Sequence, residues 1–197
     1  MRRSSSRRAS YGRRYDHERV GDEGNRQLNR AIDIRIDGEL ETVYRLGAEI
    51  EHWPQLLPHY RDVNILWQDG NRCVAKMYAT RDGIPVSWMC WQERDPETPR
   101  VTFRHIGGFT RGMVAVWTFD QHDDDSVTAR ITHEFRKGWP IQGLDRFVTD
   151  TIVGEFFTHN IAGKTLGMVK MLAEADRDSQ RAGMSHQPLA ISHQPLG

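Results

Sequence analysis

Strand alternation places three polar side chains, Gln92, His105 and His133, on a face that is otherwise apolar. Their neighbours on it are Cys73, Ala75, Met77, Trp88, Cys90, Val101, Phe103, Met113, Ala115, Trp117, Val127, Ala129, Ile131 and Phe135. An imidazole in such surroundings stays neutral and can accept a proton, and an amide can orient a carbonyl. A histidine on an apolar face is also commonly a hydrogen-bonded core residue, so the pattern leaves both readings open. Upstream, Ile50-Glu51-His52-Trp53-Pro54-Gln55-Leu56-Leu57-Pro58-His59-Tyr60 carries two prolines within an apolar run. Each proline fixes its own φ and turns the preceding residue away from helix. Trp53, Leu56, Leu57 and Tyr60 are thus held in a short broken helix that reads as the mouth of a pocket.

Other constellations carry less chemistry. His105 and His133 fall on strands separated by one other, and no helical histidine pair or carboxylate cluster joins them, so neither a metal nor another cofactor is expected. Cys73 and Cys90 lie on neighbouring strands of one hairpin and read as two small reduced core thiols. The segment Gly107-Gly108-Phe109-Thr110-Arg111-Gly112 precedes no helix, which excludes a phosphate loop and predicts a flexible β-turn beside the cavity. Met89 and Trp91 alternate to the other face, to pack under a tail or to form an apolar patch suited to a dimer.

At 197 residues and 38% hydrophobic, the chain suits one domain with tails. No apolar run approaches the roughly 18 residues of a membrane span, and the first thirty residues hold no signal-peptide core, so a soluble cytoplasmic protein is expected. Charge is segregated: residues 1–30 contain nine Arg against four acids, although the net charge is zero. Residues 1–29 read as a disordered Arg/Ser-rich tail and 30–175 as the domain. Residues 176–197 read as a second disordered tail, in which Ser185-His186-Gln187-Pro188-Leu189 recurs from Ser192 to Leu196.

The elements follow from periodicity. Ile32, Ile34 and Ile36 alternate as a half-buried strand, and Asp37 is placed to cap a helix with the apolar face Leu40, Val43, Leu46 and Ile50, ended by Trp53-Pro54. Strands are expected near 61–67, 72–79, 84–93, 100–106, 112–119 and 126–136, separated by turn signals such as Asp69-Gly70 and Asp82-Gly83. A helix is expected over residues 144–175, with rows through Val148, Ile152 and Phe156, and through Val153, Phe157, Ile161, Met168 and Leu172. Gly163 and Gly167, one turn apart, lower its propensity and leave space for close packing or a ligand. The sum is an α+β fold: a seven-stranded antiparallel curved sheet around a long C-terminal helix, with two short helices after strand 1.

That order, and the string from Trp53 to Tyr60, resemble the START-like or helix-grip superfamily over about residues 31–175. The chain is most similar there to bacterial polyketide aromatase/cyclases. The similarity runs through Ile50-Glu51-His52-Trp53-Pro54, Tyr60 followed by Ile65-Leu66, Gln68-Asp69-Gly70, Trp88, and Thr132-His133-Glu134-Phe135. Coenzyme Q-binding proteins and ribosome-association toxins of the same superfamily come next. The resemblance implies an internal cavity for a hydrophobic, aromatic or polyketide-like molecule. Cyclase or dehydratase activity is one outcome; a non-catalytic quinone or isoprenoid carrier is the other. Its wall would be Trp53, Leu57, Met77, Trp88, Met113, Trp117, Phe135 and Phe156.

Tyr60 falls on a pocket tyrosine of that family, where a phenol donates to a substrate carbonyl and stabilises an enolate. His133 aligns with a histidine proposed as general base. The family's catalytic arginine falls on the neutral Gln92, with Arg94 two residues on as a substitute near the strand end, and an acidic residue of the last helix falls near Gly163. Lacking the cation and the carboxylate, the site leaves enzyme activity open. The partners implied are a hydrophobic small molecule and, for a cyclase, an acyl carrier protein, with the chain a monomer or homodimer. Nucleic-acid binding through the arginine-rich arm is a third and less favoured reading.

Overall fold

A computed structural model describes residues 28–81, 83–108, 110–135 and 161–185. The elements run β1 (Leu28–Asp37), α1 (Leu40–Ala48), a 3₁₀ turn (Ile50–His52), α2 (Trp53–Leu56), β2 (Tyr60–Asp69), β3 (Arg72–Arg81), β4 (Ile84–Asp95), β5 (Arg100–Gly108), β6 (Met113–Gln121), β7 (Ser126–Phe135) and α3 (Gly163–Ser185). The seven strands form one sheet in the order β1-β7-β6-β5-β4-β3-β2, every neighbouring pair antiparallel. Hairpins join β2 through β7, while β1 pairs with β7, so the first described strand closes against the last described one. No described helix is long and apolar enough to cross a membrane.

One face of the sheet is the core, and its members are those that alternation selects. Cys73, Ala75 and Met77 of β3 are buried beside Trp88, Cys90 and Gln92 of β4, then Val101, Phe103 and His105 of β5. Met113, Ala115 and Trp117 of β6 and Val127, Ala129, Ile131 and His133 of β7 continue the same layer. The other face is the outer one, where Trp91 stacks on the 45%-exposed Trp67 of edge strand β2, ring centroids 5.4 Å apart. Helix α3 packs on β1 and α1 through Leu166, Val169 and Ala173.

Several expectations need correcting. Asp37 does not cap α1: Glu39 holds that position without a side-chain bond, and Val43 N–H donates to the Glu39 carbonyl at 3.0 Å. Helix α1 starts too late for Asp37 to reach its free amides, and the Asp37 carboxylate pairs instead with Arg177 of α3. Its backbone N–H also donates to Glu174 of α3, at 3.1 Å. These contacts tie the end of β1 to the last helix, which continues to Ser185, ten residues past the boundary expected at 175. Nor does Trp53-Pro54 end α1. The helix stops at Ala48, Ile50 falls in the 3₁₀ turn, and Pro54 sits in the first turn of α2, where its missing N–H costs nothing. Residues 136–160, which hold Val148, Ile152, Val153, Phe156 and Phe157, lie outside the described residues, as do 1–27 and 186–197.

Gly47 marks the closest approach of α1 to the sheet. A Cβ there would stand 2.7 Å from Cζ of Phe119 and 3.1 Å from Cε3 of Trp117. Alanine improves helix propensity by about 1 kcal/mol, whereas overpacking costs about 1–3 kcal/mol. Gly47→Ala is expected to lose about 1 kcal/mol net in urea denaturation; a more stable variant would show that the Phe119 ring yields freely.

Candidate functional site

Between the core face and the start of α3 lies a chamber that is partly open among the described residues. Among the described residues it is lined by Trp53, Tyr60, Met77, Trp88, Phe103, His105, Met113, Ala115, Trp117, Ile131, His133, Ile161, Ala162 and Thr165. None of these carries a formal charge at neutral pH. The aromatic wall is continuous: Trp53 lies 4.7 Å from Tyr60 and 6.0 Å from both Phe103 and Trp117, and Tyr60 lies 6.2 Å from Trp88, all between centroids. Trp53 is itself anchored, its indole N–H donating to the Leu46 carbonyl at 2.9 Å.

The chamber is nearly full. Its free volume is about 40 Å³, room for a few water molecules, whereas small-molecule pockets run to roughly 300–1,000 Å³. The roomy cavity expected from the resemblance is therefore present as a lined site whose own tryptophans and methionines occupy most of it. A larger crevice of about 610 Å³ opens between α1 and the β2–β3 and β4–β5 turns. Its lining mixes the charged Glu41, Arg45, Glu49 and Arg94 with Leu40, Tyr44, Ala48, Pro96 and Pro99.

The polar groups of the chamber are tuned by burial. His105 stacks on Trp88, centroids 5.9 Å apart at 9°, and its Nδ1 lies 2.7 Å from the Thr110 hydroxyl. Desolvation, reinforced by nearby His133, pulls its pKa down to about 3. His133, opposite the small Ala115 on β6, is lowered to about 4 by desolvation. Both imidazoles are neutral at pH 7, and both are weak bases. Burial raises the Tyr60 phenol well above its ordinary range, a hydrogen bond to Thr165 offsetting only part of the effect. Burial also pushes the Cys90 thiol up to about 12 and raises that of Cys73, so neither is a nucleophile at neutral pH. Among the described residues, no three His, Cys, Asp or Glu side chains gather to hold a metal.

Tyr60, His133, Trp53, Met77, Trp88, Met113 and Trp117 meet at the chamber. Leu57 is buried in the core but does not line it. Phe135 ends β7 with a side chain outside the described set, and Phe156 lies wholly outside it. Gln92 is a correction. It is 0% exposed, but its Nε2 donates to the Ala48 carbonyl at 2.7 Å while its Oε1 accepts from Arg94 Nε at 3.0 Å and Cys73 Sγ at 3.2 Å. The first bond holds α1 to β4, the others fix the amide against β4 and β3, and Gln92 does not line the chamber. Arg94 turns outward to Glu51, at 2.7 Å, and supplies no cation to the site. Thr165 is not singled out by the sequence pattern, and His59 appears there only as part of the two-proline segment. Thr165 lies one turn after Ile161, a polar residue on an apolar helix face, and that interruption was the available signal.

Comparison with known proteins places this geometry. A sequence model of the family described as "Polyketide cyclase / dehydrase and lipid transport" matches residues 36–157, more than half of the chain. A curated Streptomyces virginiae protein, the granaticin polyketide synthase bifunctional cyclase/dehydratase, is 27% identical over 126 residues, 60% of this chain and 41% of its own length. The chain thus spans about two fifths of that relative. In structure, the Zhui aromatase/cyclase of Streptomyces sp. R1128 superposes with a TM-score of 0.63 at 17% identity, covering 80% of this chain and 98% of that one. A START superfamily protein from Mycobacterium smegmatis gives 0.55 at 15% identity, covering 76% and 99%. The two structures share the helix-grip fold with this chain. With more than half its length matched and that fold in place, the chain belongs to the polyketide cyclase/dehydrase and lipid transport family.

Proposed function

We propose that this chain binds a neutral, hydrophobic small molecule of aromatic or polyketide-like type in the chamber, with Tyr60 and His133 as its polar contacts. One observation carries the reading: a mostly apolar wall without a charged side chain, whose polar side chains besides the tryptophan indoles are Tyr60, His105, His133 and Thr165 among the described residues. With about 40 Å³ free, the guest takes space from the wall, and Met77 and Met113, unbranched and adaptable, yield first.

A second reading, cyclisation and dehydration of a polyketone delivered by an acyl carrier protein, is favoured by the family match and the curated relative. Its chemistry would rest on positioning, because His133 is a weak base and no cation stands where Gln92 replaces the family's arginine. A quinone or isoprenoid carrier needs neither group. The proposed setting is the cytoplasm, as a monomer or homodimer.

Native mass spectrometry of the freshly purified full chain separates the readings. A retained neutral hydrophobic adduct is expected, an isoprenoid quinone marking the carrier and an aromatic polyketide the cyclase. Protein that emerges empty and takes up no added naphthoquinone would overturn ligand binding.

A further inference from the structure

The end of the sheet that holds the chamber also carries a finger. β2 reaches β3 no further than Ala79, and β5 reaches β4 no further than Trp88, while β3 and β4 run on to Arg81 and Ile84. Only two strands remain at the tip. Thr80 pairs with Pro85 and Arg81 with Ile84 around a two-residue turn, where Gly83 takes φ of +86° as a tight hairpin requires. Ile84 is 63% exposed, more than any other large hydrophobic residue described, and Pro85 beside it is exposed as well. Tyr60 and Met113, the first residues of β2 and β6, and Thr165 in the first turn of α3 line the chamber at this same end. Charge divides along the same axis. Arg61, Arg111 and Lys164 are exposed at the finger's end, against Asp62 and the half-buried Glu134. At the opposite end the β4–β5 connection carries Asp95 and Glu97 against Arg100, and the β6–β7 turn carries Asp123, Asp124 and Asp125. An anionic surface therefore attracts one end of the molecule and repels the other.

We infer that this finger docks on an anionic lipid surface, with Ile84 and Pro85 entering the headgroup layer and Arg61, Arg111 and Lys164 facing its charge, so that the chamber meets the bilayer from which its guest is taken. A protein partner is the poorer fit. Two apolar side chains on a narrow tip bury far less than the roughly 1,600 Å² of a stable protein interface, whereas a bilayer accepts an apolar wedge without shape complementarity. Docking itself does not depend on the chamber's guest; the purpose given to it, uptake of a hydrophobic molecule, rests on that reading.

The test is cosedimentation of the full chain with vesicles of phosphatidylcholine, either alone or with about one-third phosphatidylglycerol. Binding is expected to the anionic vesicles and should weaken with added salt. Ile84→Thr, still β-branched but less apolar, should weaken it about fivefold, and Arg111→Glu about tenfold. The arginine-rich residues 1–30 attract anionic lipid too, so Ile84 is the discriminating position. Unchanged binding of Ile84→Thr would assign the attraction to charge alone and overturn the inference. As a second measurement, Ile84→Cys can carry a polarity-sensitive dye, since Cys73 and Cys90 are buried. Its emission should shift to the blue on anionic vesicles; an unshifted dye on bound protein overturns insertion of the tip. Binding to an acidic acyl carrier protein but not to vesicles would give this surface to a protein and overturn the inference. No vesicle binding, with a hydrophobic adduct still retained in native mass spectrometry, strikes docking alone and leaves the ligand site intact.

Discussion

Between pH 6.5 and pH 4 this protein is expected to lose most of its stability, and His105 and His133 to be the main reason. Their pKa values in the fold are about 3 and about 4, against 6.5 for an unhindered imidazole. Above pH 6.5 both histidines are neutral folded or unfolded, so they add no pH dependence. Below it the unfolded chain takes up protons that the buried rings refuse, so stability falls as pH falls, and the loss is complete only beneath the folded values. Each pH unit per histidine is worth about 1.4 kcal/mol, giving about 3 kcal/mol apiece by pH 4. The pair together approaches the whole stability of an ordinary domain, about 5–15 kcal/mol. His59, lowered to about 4 by desolvation and then by Lys164, acts in the same direction, discounted because it is only half-buried. Urea denaturation at a series of pH values checks the slope, and His133→Gln should reduce it by about one proton. A flat profile from pH 7 to pH 5 would mean that water reaches these rings.

The same burial explains what was legible in the residues alone. Alternation names a core face correctly because the period of a strand is two, and Cys73 to Met77 or Val127 to His133 can satisfy it in only one register. Helix ends are less legible, since Asp37 has the right chemistry for a cap but lies two residues before Glu39, the cap position. The reach of α3 to Ser185 depends on Glu174 and Arg177 finding Asp37 across more than a hundred residues, a partnership that no local pattern encodes. Gln92 lies on the inward face that alternation selects, and its amide is engaged by the Ala48 carbonyl. Whether an inward amide meets a guest or the Ala48 carbonyl is settled by the docking of α1, which the strand's own pattern does not contain. Chamber volume is harder still: a list of large apolar residues is the same list whether they surround a space or fill it.

Gly107 and Gly108 show the point most sharply, and they carry the second large effect. Expected in a turn, they are the last residues of β5, paired with Met89 and Trp88, while Cys90 already pairs with His105. One extra residue, Ile106, sits between these registers as a bulge, and its outward aliphatic side chain is 41% exposed. Gly108 has φ of +83°, and a Cβ on it would stand 2.8 Å from the Ser87 carbonyl oxygen and 2.9 Å from Trp88 Cα. Both neighbours are backbone, which cannot rotate aside. Gly108→Ala should thus cost about 3 kcal/mol or more, from left-handed strain plus forced separation of β4 from β5. At Gly107 the nearest atom is Met89 Cβ at 3.2 Å, with the rest of that flexible side chain beyond it, so Gly107→Ala should cost about 1 kcal/mol. The displaced residue at position 108 is Trp88, which stacks on His105 and faces Tyr60, so the larger loss should come with a changed near-ultraviolet aromatic signal. Equal costs for the two variants would show that the bulge slides to admit a Cβ, and that the Trp88 wall is set by its side-chain neighbours and not by this close backbone approach.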